Sequence, residues 1–462
     1  MARRVICERR AEAGFALPMA MGIAVAVLTL GLALLELSRM EAVRARRDVT
    51  KLQAAAAAEY GLARAQAMAQ SQKMPWAVMT YNDAHLSFAP SAQYSGHQVC
   101  TLFRDIPLTN SSATYTVVIE DMTGWLATSA HYRIHAYGSA GLHTTHVATD
   151  ARALTYASFG WLTHSEEGVY FASGDIVRGW VHTNDRMNIW GNPTFTDRVS
   201  SGASAVHYAH GGPPSDAPDF QGGLSLNSPI VDIPALINEG HITAIRDRAR
   251  EATGIWLGSN SGRPYRIVFN SSGKVTISKQ NKKGNWESVI SNRYLSATNG
   301  AIYVEEDVWV QGEVDGQVTV ATSLGKDILI VDDLIYAYPA GRTQLWQPGF
   351  DPTDPLFNDK LALISGGDVV ISKEWNNSWG DMYVAASIAA VTGIFTNDSY
   401  TRSPQKTLHI YGAVAQYRRG PVGTTGGKGF LKDYWYDDRF LTAPPPHLPT
   451  VGYDFSQWTL YP

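Results

Sequence analysis

The chain has 462 residues and a mass of 50.4 kDa, enough for about two to four domains of ordinary size. Hydrophobic residues make up 45% and charged residues 17%, which excludes a disordered or collagen-like chain. The 11% aromatic content favours β-structure and exposed stacking surfaces. A net charge of -4 argues against nucleic-acid binding by bulk positive charge, and two cysteines are too few for a disulfide framework or a cysteine-based zinc site.

The N-terminal segment combines a basic leader with an uncharged apolar run. Residues 1–14 contain four arginines and two glutamates, whereas Phe15 to Leu35 contains no charged residue. At about 1.5 Å per helical residue this run spans about 30 Å, the thickness of a bilayer core. The arginines before it predict a cytoplasmic N-terminus. A secretory signal peptide is disfavoured, because the residues after Leu35 match a small-x-small cleavage site poorly.

The helical pattern continues beyond the apolar run. Residues 38–72 are rich in Ala, Arg, Glu and Gln, and the next proline is Pro75. The sequence therefore predicts a nearly continuous helix over residues 15–72, about 85 Å long. Its first third is apolar and its remainder is amphipathic.

This long helix, preceded by a charged leader that ends in glycine, resembles the N-terminal region of type IV pilins. The motif consists of Ala13, Gly14, Phe15, Ala16, Leu17, Pro18 and Met19. The alanine-rich run at residues 57–65 resembles that of the large PilX-type minor pilins. The resemblance implies that a prepilin peptidase cleaves between Gly14 and Phe15, and that the apolar half contacts membrane lipid and then other pilin-like subunits.

One position departs from the pilin pattern. Major pilins carry a glutamate five residues into the mature chain, where this chain has Met19, and the next acidic residue is Glu36. Because that glutamate is associated with assembly of the repeating subunit, the resemblance implies a tip, initiating or accessory subunit. A signal-anchor helix without processing is the alternative.

Residues 73–160 are expected to form a pilin-like head sheet on the end of the helix. Strands are predicted at residues 115–119, 132–137 and 144–153, with a glycine turn at 138–141. The head contains a group of histidines, His131, His135, His143 and His146. Because no Cys, Asp or Glu stands at a familiar ligand spacing, they are interpreted as solvated strand histidines.

From residue 161 to 440 short β-runs recur between Gly, Asn and Asp. Between Asn299 and Asp333 these runs follow one another about every 8–10 residues, which leaves no room for helices. This pattern favours a parallel β-helix, a solenoid, over a β-sandwich, because several runs are nearly all apolar rather than alternating. The fold class expected for the whole chain is α+β, mainly β.

Two segments interrupt or follow the predicted solenoid. Residues 232–295 are interpreted as an insertion on its side, with a helix from Asp232 to about Ala252 and a hairpin over residues 265–294. Residues 441–462 are proline-rich at their start and are predicted to form an extended tail.

The stretch from Gly179 to Phe195 resembles an uncharacterised solenoid domain of large pilin-like proteins that carry the same type of N-terminal helix. Residues 363–366 and 410–416 are similar to the same domain, so the resemblance covers most of 165–440. Some of those relatives are competence-associated tip pilins that serve natural transformation.

Cationic and aromatic side chains interleave near the C-terminus, a pattern that can hold single-stranded DNA by phosphate contact and base stacking. The candidate ligand or DNA contacts are Arg418, Arg419, Lys428, Lys432, Tyr434 and Trp435. The alternative is that the aromatic rings cap the end of the solenoid with the cations solvated around them. Residues 73–462 carry more acidic than basic residues, so DNA capture would depend on a local patch.

Signals for chemistry are weak. The acidic pairs at 305–306, 332–333 and 437–438 point to opposite strand faces and are interpreted as solvated turns. His182 and Asn184 are interpreted as a local corner of the solenoid. The sequence contains no phosphate-binding glycine loop, serine nucleophile elbow or HExxH motif. No catalytic residue, metal or cofactor is therefore predicted, and the chain is not expected to be an enzyme.

Together these features predict a single-pass protein of the inner (cytoplasmic) membrane that displays an extracytoplasmic solenoid. A pilus or the cell surface is the alternative location. The leading interpretation is a minor or accessory subunit of a type IV pilus or related assembly. The expected partners are other pilin-like subunits, the assembly machinery, prepilin peptidase and membrane lipid. One alternative is a tip adhesin or DNA receptor that binds surface glycan or DNA, and another is an anchored glycan-active β-helix enzyme, which would need convergent carboxylates in an open groove.

Overall fold

A computed structural model describes most of the chain as predominantly β-structure with one long N-terminal helix. The described residues are 13–72, 79–81, 84–123, 131–231, 240–338, 345–346, 350–352, 354, 356–372 and 380–461. The predicted leader therefore lies outside the described residues, except for its last two positions.

Helix α1 covers Ala13–Gln72, and its two parts have different surroundings. The side chains from Leu17 to Val49 are exposed. Farther along, small and apolar residues three or four positions apart form a buried stripe, as expected for a helix that packs on one face. The stripe consists of Ala54, Ala57, Ala58, Leu62, Ala65 and Ala69.

The stripe packs on an antiparallel head sheet that follows the helix in the chain. The first seven strands are β1 (Thr80–Tyr81), β2 (Ala84–His85), β3 (Ala89–Pro90), β4 (Gln98–Pro107), β5 (Thr114–Asp121), β6 (His131–Ala140) and β7 (His143–Thr155). The head sheet contains β3 to β7 in sequential order. The three predicted strands are present as β5, β6 and β7. The sequence did not predict β4, whose alternating pattern is interrupted by register shifts on either side of Phe103.

Close approach of two backbones fixes α1 on the head sheet. A Cβ atom at Gly138 of β6 would overlap the backbone oxygen of Ala54 and lie 2.5 Å from the backbone nitrogen of Ala58. On the helix, a Cβ at Gly61 would lie 2.7 Å from the ring of Tyr115. Since neither site has room for a side chain, glycine at both positions lets helix and sheet pack closely.

Short parallel strands follow the head sheet, and we call residues 161–436 the β-body. Its first arm runs through β8 (Trp161–Ser165), β9 (Phe171–Ala172), β10 (Ile176–Val177), β11 (Val181–Thr183), β12 (Asn188–Trp190), β13 (Thr194–Phe195), β14 (Val199–Ser201), β15 (His207–Tyr208), β16 (Asp219–Phe220) and β17 (Leu224–Ser225). Every third strand pairs in parallel, giving the ladders β8-β11-β14-β17, β9-β12-β15 and β10-β13-β16.

The second arm begins with helix α2 (Gly240–Arg250) and returns to the first arm. Its strands are β18 (Ile255–Leu257), β19 (Tyr265–Asn270), β20 (Lys274–Gln280), β21 (Trp286–Tyr294), β22 (Ala301–Val304), β23 (Val308–Val314), β24 (Gln317–Thr322), β25 (Ile328–Tyr336), β26 (Lys360–Ser365), β27 (Val369–Ile371), β28 (Met382–Ala390), β29 (Phe395–Asn397), β30 (Lys406–Arg418), β31 (Gly423–Thr424) and β32 (Lys428–Tyr436). One parallel ladder runs β18-β22-β24-β26-β28-β30, and a second runs β19-β23-β25-β27-β29.

The two arms meet where the β-body begins and ends. Strand β30 pairs in parallel with β8, and β32 pairs in parallel with β10. The chain therefore enters the stack of strands at an interior position, builds one end, crosses to the other end and returns to its starting strand. We call the contact of β30 and β32 with β8 and β10 the seam.

Part of the predicted insertion belongs to the stack. Strands β18 and β19 pair in parallel with β22 and β23, so they form a layer of the β-body rather than an excursion. Antiparallel pairing then adds β20 and β21 beyond them, in agreement with the predicted hairpin. Residues 232–239, where the predicted helix begins, lie outside the described residues.

The prediction of an extended C-terminal tail was wrong for its second half. Strands β33 (Thr450–Phe455) and β34 (Thr459–Tyr461) pair antiparallel with β7 in the head sheet. The amide of Gln70 on α1 donates a hydrogen bond to the Tyr453 carbonyl at 2.9 Å. Tyr453 and Phe455, two residues apart, supply the apolar face toward the core of the head, whereas Val451 lies at a register shift and packs in a separate core cluster. Short 3-10 turns occur at Ala92–Tyr94, Tyr156–Ser158, Leu295–Ala297 and Asp438–Leu441.

Replacing Gly138 by alanine should loosen α1 from the head sheet. The added methyl group would overlap the backbone of α1, and overpacking of this kind costs about 1–3 kcal/mol. The measurement is urea unfolding of the detergent-solubilised full chain. Gly426→Ala is the control, because only the Thr424 hydroxyl, at 3.8 Å, lies near its added Cβ. Equal stability of the two variants would contradict the described packing of α1.

Candidate functional site

The most distinctive surface of the chain is the apolar part of α1. Twelve large apolar side chains between Leu17 and Leu37 are each at least 55% exposed. They are Leu17, Met19, Met21, Ile23, Val25, Val27, Leu28, Leu30, Leu32, Leu34, Leu35 and Leu37. Within the described residues, α1 is the helix that is long and apolar enough to cross a membrane. A continuous apolar surface of this size marks contact with lipid or with other chains.

The next part of the helix is exposed as well but mixes charged and apolar side chains. Charged residues from Glu36 to Lys51 alternate with Met40, Val43, Val49 and Leu52, which are all more than half exposed. The predicted processing residues Gly14 and Phe15 lie in the first turn of α1. The described structure thus has a free helical arm of about 40 residues before the buried stripe.

The structure does not assemble the predicted C-terminal ligand-binding residues into an exposed patch. Arg419 is almost fully buried, and its guanidinium lies 2.6 Å from the Glu166 carboxylate. It also donates a hydrogen bond to the Tyr170 carbonyl at 3.1 Å and lies 3.6 Å from the centre of the Phe171 ring. These contacts occupy Arg419 inside the seam, so its prediction as a DNA contact was wrong.

Lys432 and Tyr434 are also inside the seam. The Lys432 ammonium lies 2.5 Å from the Asp175 carboxylate. Burial lowers the pKa of Lys432, while the Asp175 charge acts in the opposite direction. The buried Tyr434 ring stacks on Trp161 with ring centres 5.5 Å apart. Neither residue is available to a ligand, so these two predicted contacts were wrong as well.

The other three predicted contacts lie on the surface. Arg418 and Lys428 are exposed. Trp435 is 41% exposed, and the guanidinium of Arg178 lies 3.7 Å from its ring centre. Arg178 also pairs with Asp433 at 2.7 Å, so the indole belongs to a surface ion-pair network. Two exposed cations and one partly exposed indole, which already contacts Arg178, supply little of the charge that phosphate binding needs.

The seam is therefore a structural site that sequence reasoning missed. It joins the first and last strands of the β-body through two buried ion pairs, Arg419 with Glu166 and Lys432 with Asp175. A buried pair gives little net stability against apolar residues, but loss of one partner leaves a buried charge without compensation. Breaking either pair would therefore destabilise the point where these strands meet.

Two acidic pairs also differ from their interpretation as solvated turns. Glu306 is buried, pairs with Lys326 at 2.8 Å and accepts backbone hydrogen bonds from Asn260 and Gly262. Burial opposes the shift, but these partners lower the pKa of Glu306 to about 2. Asp437 is buried and pairs with Arg439 at 2.6 Å. Glu306 holds a turn of the β-body, and Asp437 caps the 3-10 turn that follows the β-body.

His182 and Asn184 form a buried contact between distant segments. His182 lies 2.8 Å from the Ser200 hydroxyl and 3.0 Å from the Asn184 amide oxygen. The same amide group accepts a hydrogen bond from the Val231 nitrogen at 2.8 Å and donates to the Val231 carbonyl at 2.5 Å. The pair thus holds the segment that leaves the first arm after β17, a structural role consistent with the sequence interpretation.

Two of the head histidines converge on a buried glutamate. On the face of the sheet opposite α1, Glu120 lies 2.8 Å from His135 and 2.6 Å from His97. His135 lies 3.0 Å from His146, whose ring stacks on Tyr137 at 4.3 Å. His135 and Glu120 are buried, so the interpretation as solvated histidines was wrong for His135. Within the described ranges no group of three or more His, Cys, Asp or Glu residues is arranged to hold a metal.

The surroundings of this cluster shift its protonation. Burial lowers the pKa of His146 to about 4, with a further contribution from His135. Burial also lowers the pKa of His135, against the effect of its hydrogen bond to Glu120. Burial would raise the pKa of Glu120, but hydrogen bonds from His135 and His97 lower it overall. At neutral pH these shifts favour the neutral forms of His135 and His146 beside an ionised Glu120 carboxylate.

Replacing Arg419 by methionine should destabilise the β-body by about 3–5 kcal/mol, because Glu166 would remain as a buried charge. The exposed neighbour Arg418, replaced in the same way, should change stability by less than about 0.5 kcal/mol. Urea unfolding of the full chain, followed by tryptophan fluorescence, measures both. Adding Glu166→Leu to Arg419→Met should recover part of the loss. Equal effects of the two arginine variants would show that the seam is not closed by this pair.

Acid should destabilise the head between pH 6.5 and pH 4. The unfolded histidines take up protons below about pH 6.5, whereas folded His146 remains neutral until about pH 4, so stability falls as pH is lowered. The melting temperature of the full chain, measured from pH 7.5 to pH 4.5, should therefore decrease. His146→Gln should reduce the dependence of the melting temperature on pH. His143→Gln, at a half-buried position of the same strand, should leave that dependence closer to the wild-type value. An unchanged slope in His146→Gln would contradict the assigned shift.

Comparison with known proteins gives no family assignment. No protein-family model matches the chain, and no curated protein matches it in sequence. Among solved structures, the crystal structure of the competence-associated pilin ComZ from Thermus thermophilus is similar over 89% of this chain and 97% of that chain. The two chains share 12% identity, and the TM-score is 0.33. A TM-score of 0.33 at 12% identity does not define a fold, so the function must be inferred from the residues of this chain.

Proposed function

We propose that the chain is a membrane-anchored, pilin-like minor or accessory subunit of a type IV pilus or a related assembly. The observation that carries the proposal is the division of α1 into an exposed apolar arm and a stripe buried on an antiparallel sheet. An arm of this kind is stable in lipid or against the arms of other subunits, and the stripe transmits that attachment to the folded part.

The path of the chain supports display of the β-body by the same anchor. Strand β7 of the head is followed directly by β8, and β32 is followed by β33, which returns to the head. The β-body is thus attached to the head at both of its chain ends. We infer that the stack is a parallel β-helix, on the basis of its parallel ladders and the small number of residues between successive strands.

An accessory role agrees better with the residues than a repeating role. Met19 stands where the pilin pattern has an assembly glutamate, and the first charged side chain of the arm is Glu36. A large β-body on every subunit would also occupy much more space than a helical arm about 10–12 Å across. We therefore place the chain at low copy number, at a tip or an initiating position.

The alternative functions have weaker support. A DNA receptor based on the C-terminal cations loses Arg419 and Lys432 to buried ion pairs. A glycan-cleaving enzyme would need two carboxylates that converge on an open groove, whereas Glu306 and Asp437 are buried with cationic partners. The proposed role is therefore structural rather than catalytic.

The pilin-like role predicts processing and retention of the arm. After co-expression with a prepilin peptidase, N-terminal sequencing of the membrane-extracted protein should begin at Phe15. Gly14→Val should leave the leader in place. The resemblance to pilins implies that cleavage requires glycine at this position, and valine would introduce a branched side chain there.

Removal of residues 15–35 should release the remaining protein from the membrane fraction. An intact Met1 in the wild-type chain would contradict pilin-like processing and support a simple anchor. Release of the wild-type β-body with the arm cut beyond Leu37 would contradict both anchoring interpretations.

A further inference from the structure

A cleft at the second-arm end of the β-body has no role in the features described above. Its volume is about 540 Å³, within the range of small-ligand sites. It lies between the turn before β20, the end of β21, the turn after β23 and the loop that precedes β26. Because these segments belong to separate strands, the stack builds most of the cleft, and Pro446, beyond the β-body, completes its lining.

The cleft presents hydrogen-bonding groups that the protein does not use. Among the described residues, the carboxylate of Asp315 and the hydroxyl groups of Tyr294 and Ser296 have no hydrogen-bond or ion-pair partner. Gln317 donates its amide NH to the Asn358 carbonyl at 3.1 Å, which leaves its amide oxygen as an acceptor. A carboxylate, an amide oxygen and two hydroxyl groups therefore line one space.

Glycine keeps the space around the carboxylate open. Gly273 has a φ of +71°, and a Cβ at this position would lie 3.3 Å from a carboxylate oxygen of Asp315. Any side chain at residue 273 would thus crowd the carboxylate as well as strain the backbone. Glycine leaves Asp315 accessible from the cleft.

An exposed aromatic ring stands at the edge of the same space. The Tyr294 side chain is 53% exposed, and the ammonium group of Lys274 lies 4.6 Å from its ring centre. This contact restrains the ring, while its remaining surface stays open to solvent. A fixed tyrosine combines an apolar surface with a polar hydroxyl, which suits a ligand that has both apolar and polar edges.

The lining selects the chemistry of the ligand. It contains no arginine or lysine, and the one cation named at its edge, Lys274, lies against the Tyr294 ring, so the lining itself offers no charge that would neutralise a phosphate or sulfate group. Its polar groups are mainly acceptors and hydroxyls, which match the many O–H donors of a sugar. Tyr294 supplies a surface for the C–H groups of a pyranose ring.

We propose that this cleft binds a segment of a neutral saccharide chain, with Asp315 accepting hydrogen bonds from sugar hydroxyls and Tyr294 contacting the ring. The site would give the second arm of the β-body a glycan ligand. This inference does not depend on the anchoring role, because every residue that lines the cleft lies in the second arm of the β-body or in the segment that follows it.

The test measures retention of the full chain on an array of neutral gluco-, galacto-, manno- and N-acetylglucosamine oligosaccharides, with sulfated and uronic-acid chains as the anionic set. A detergent without a sugar headgroup is required, since a glycosidic detergent would compete for the cleft. The wild-type chain should bind a neutral class with an affinity that does not change between low and high salt.

Asp315→Asn and Tyr294→Ala should each weaken this binding by about tenfold or more, as expected for loss of a hydrogen bond to a charged group or of a buried ring contact. Glu313→Gln is the matched control, because Glu313 is exposed nearby on β23 and does not line the cleft. Unchanged melting temperatures establish that the variants are folded. The proposal is overturned if no neutral glycan is retained, if binding is confined to anionic chains and disappears in salt, or if both cleft variants bind like wild type.

Discussion

Exposure of the apolar part of α1 to water is energetically unfavourable, and this constraint determines where the rest of the protein can lie. Burying a large aliphatic side chain is favourable by about 1.5–3 kcal/mol, so the twelve exposed side chains from Leu17 to Leu37 represent on the order of 20 kcal/mol. The arm must therefore lie in lipid or against other apolar chains. Because the same helix continues into the head, whatever holds the arm also holds the folded part.

Two features connect that anchored helix to the β-body. The close approach at Gly138 fixes the helix on the head sheet, and strands β7 and β33 lead from this sheet to both chain ends of the β-body. The seam then joins those ends through parallel pairing and buried ion pairs. The β-body consequently has no free terminal strand at the seam, and its attachment to the head is double. This arrangement suits a domain that is displayed at a distance from a membrane or filament.

The sequence predicted the helix and the strands whose signals are local patterns of apolar and polar residues. The composition of residues 15–72 predicted a long helix with an apolar start, and alternating residues predicted the strands β5, β6 and β7. Recurrent short apolar runs predicted many β-strands after residue 161. Each of these signals arises from neighbours in the chain, so periodicity alone was sufficient.

The sequence did not predict contacts between distant segments. Arg418 and Arg419 are chemically identical neighbours at the end of β30, but the first is exposed and the second is buried, and only the fold determines which. Glu166 lies about 250 residues away, so no local pattern indicates the pair. For the same reason the sequence predicted an extended tail at Thr450–Phe455, because its partner strand β7 ends far away in the sequence, at Thr155. The candidate cleft was missed because its residues come from separate turns of the stack.

The most direct test is to measure the depth of α1 in a bilayer. In a background with Cys7 and Cys100 replaced by serine, single cysteines at Leu28 and Leu52 would carry an environment-sensitive fluorophore in liposome-reconstituted protein. The account predicts that a quencher on the lipid chains acts on the label at residue 28, whereas aqueous iodide acts on the label at residue 52. Quenching of both labels by iodide, with no effect of the lipid quencher, would contradict the central claim that the arm is a membrane anchor for the β-body.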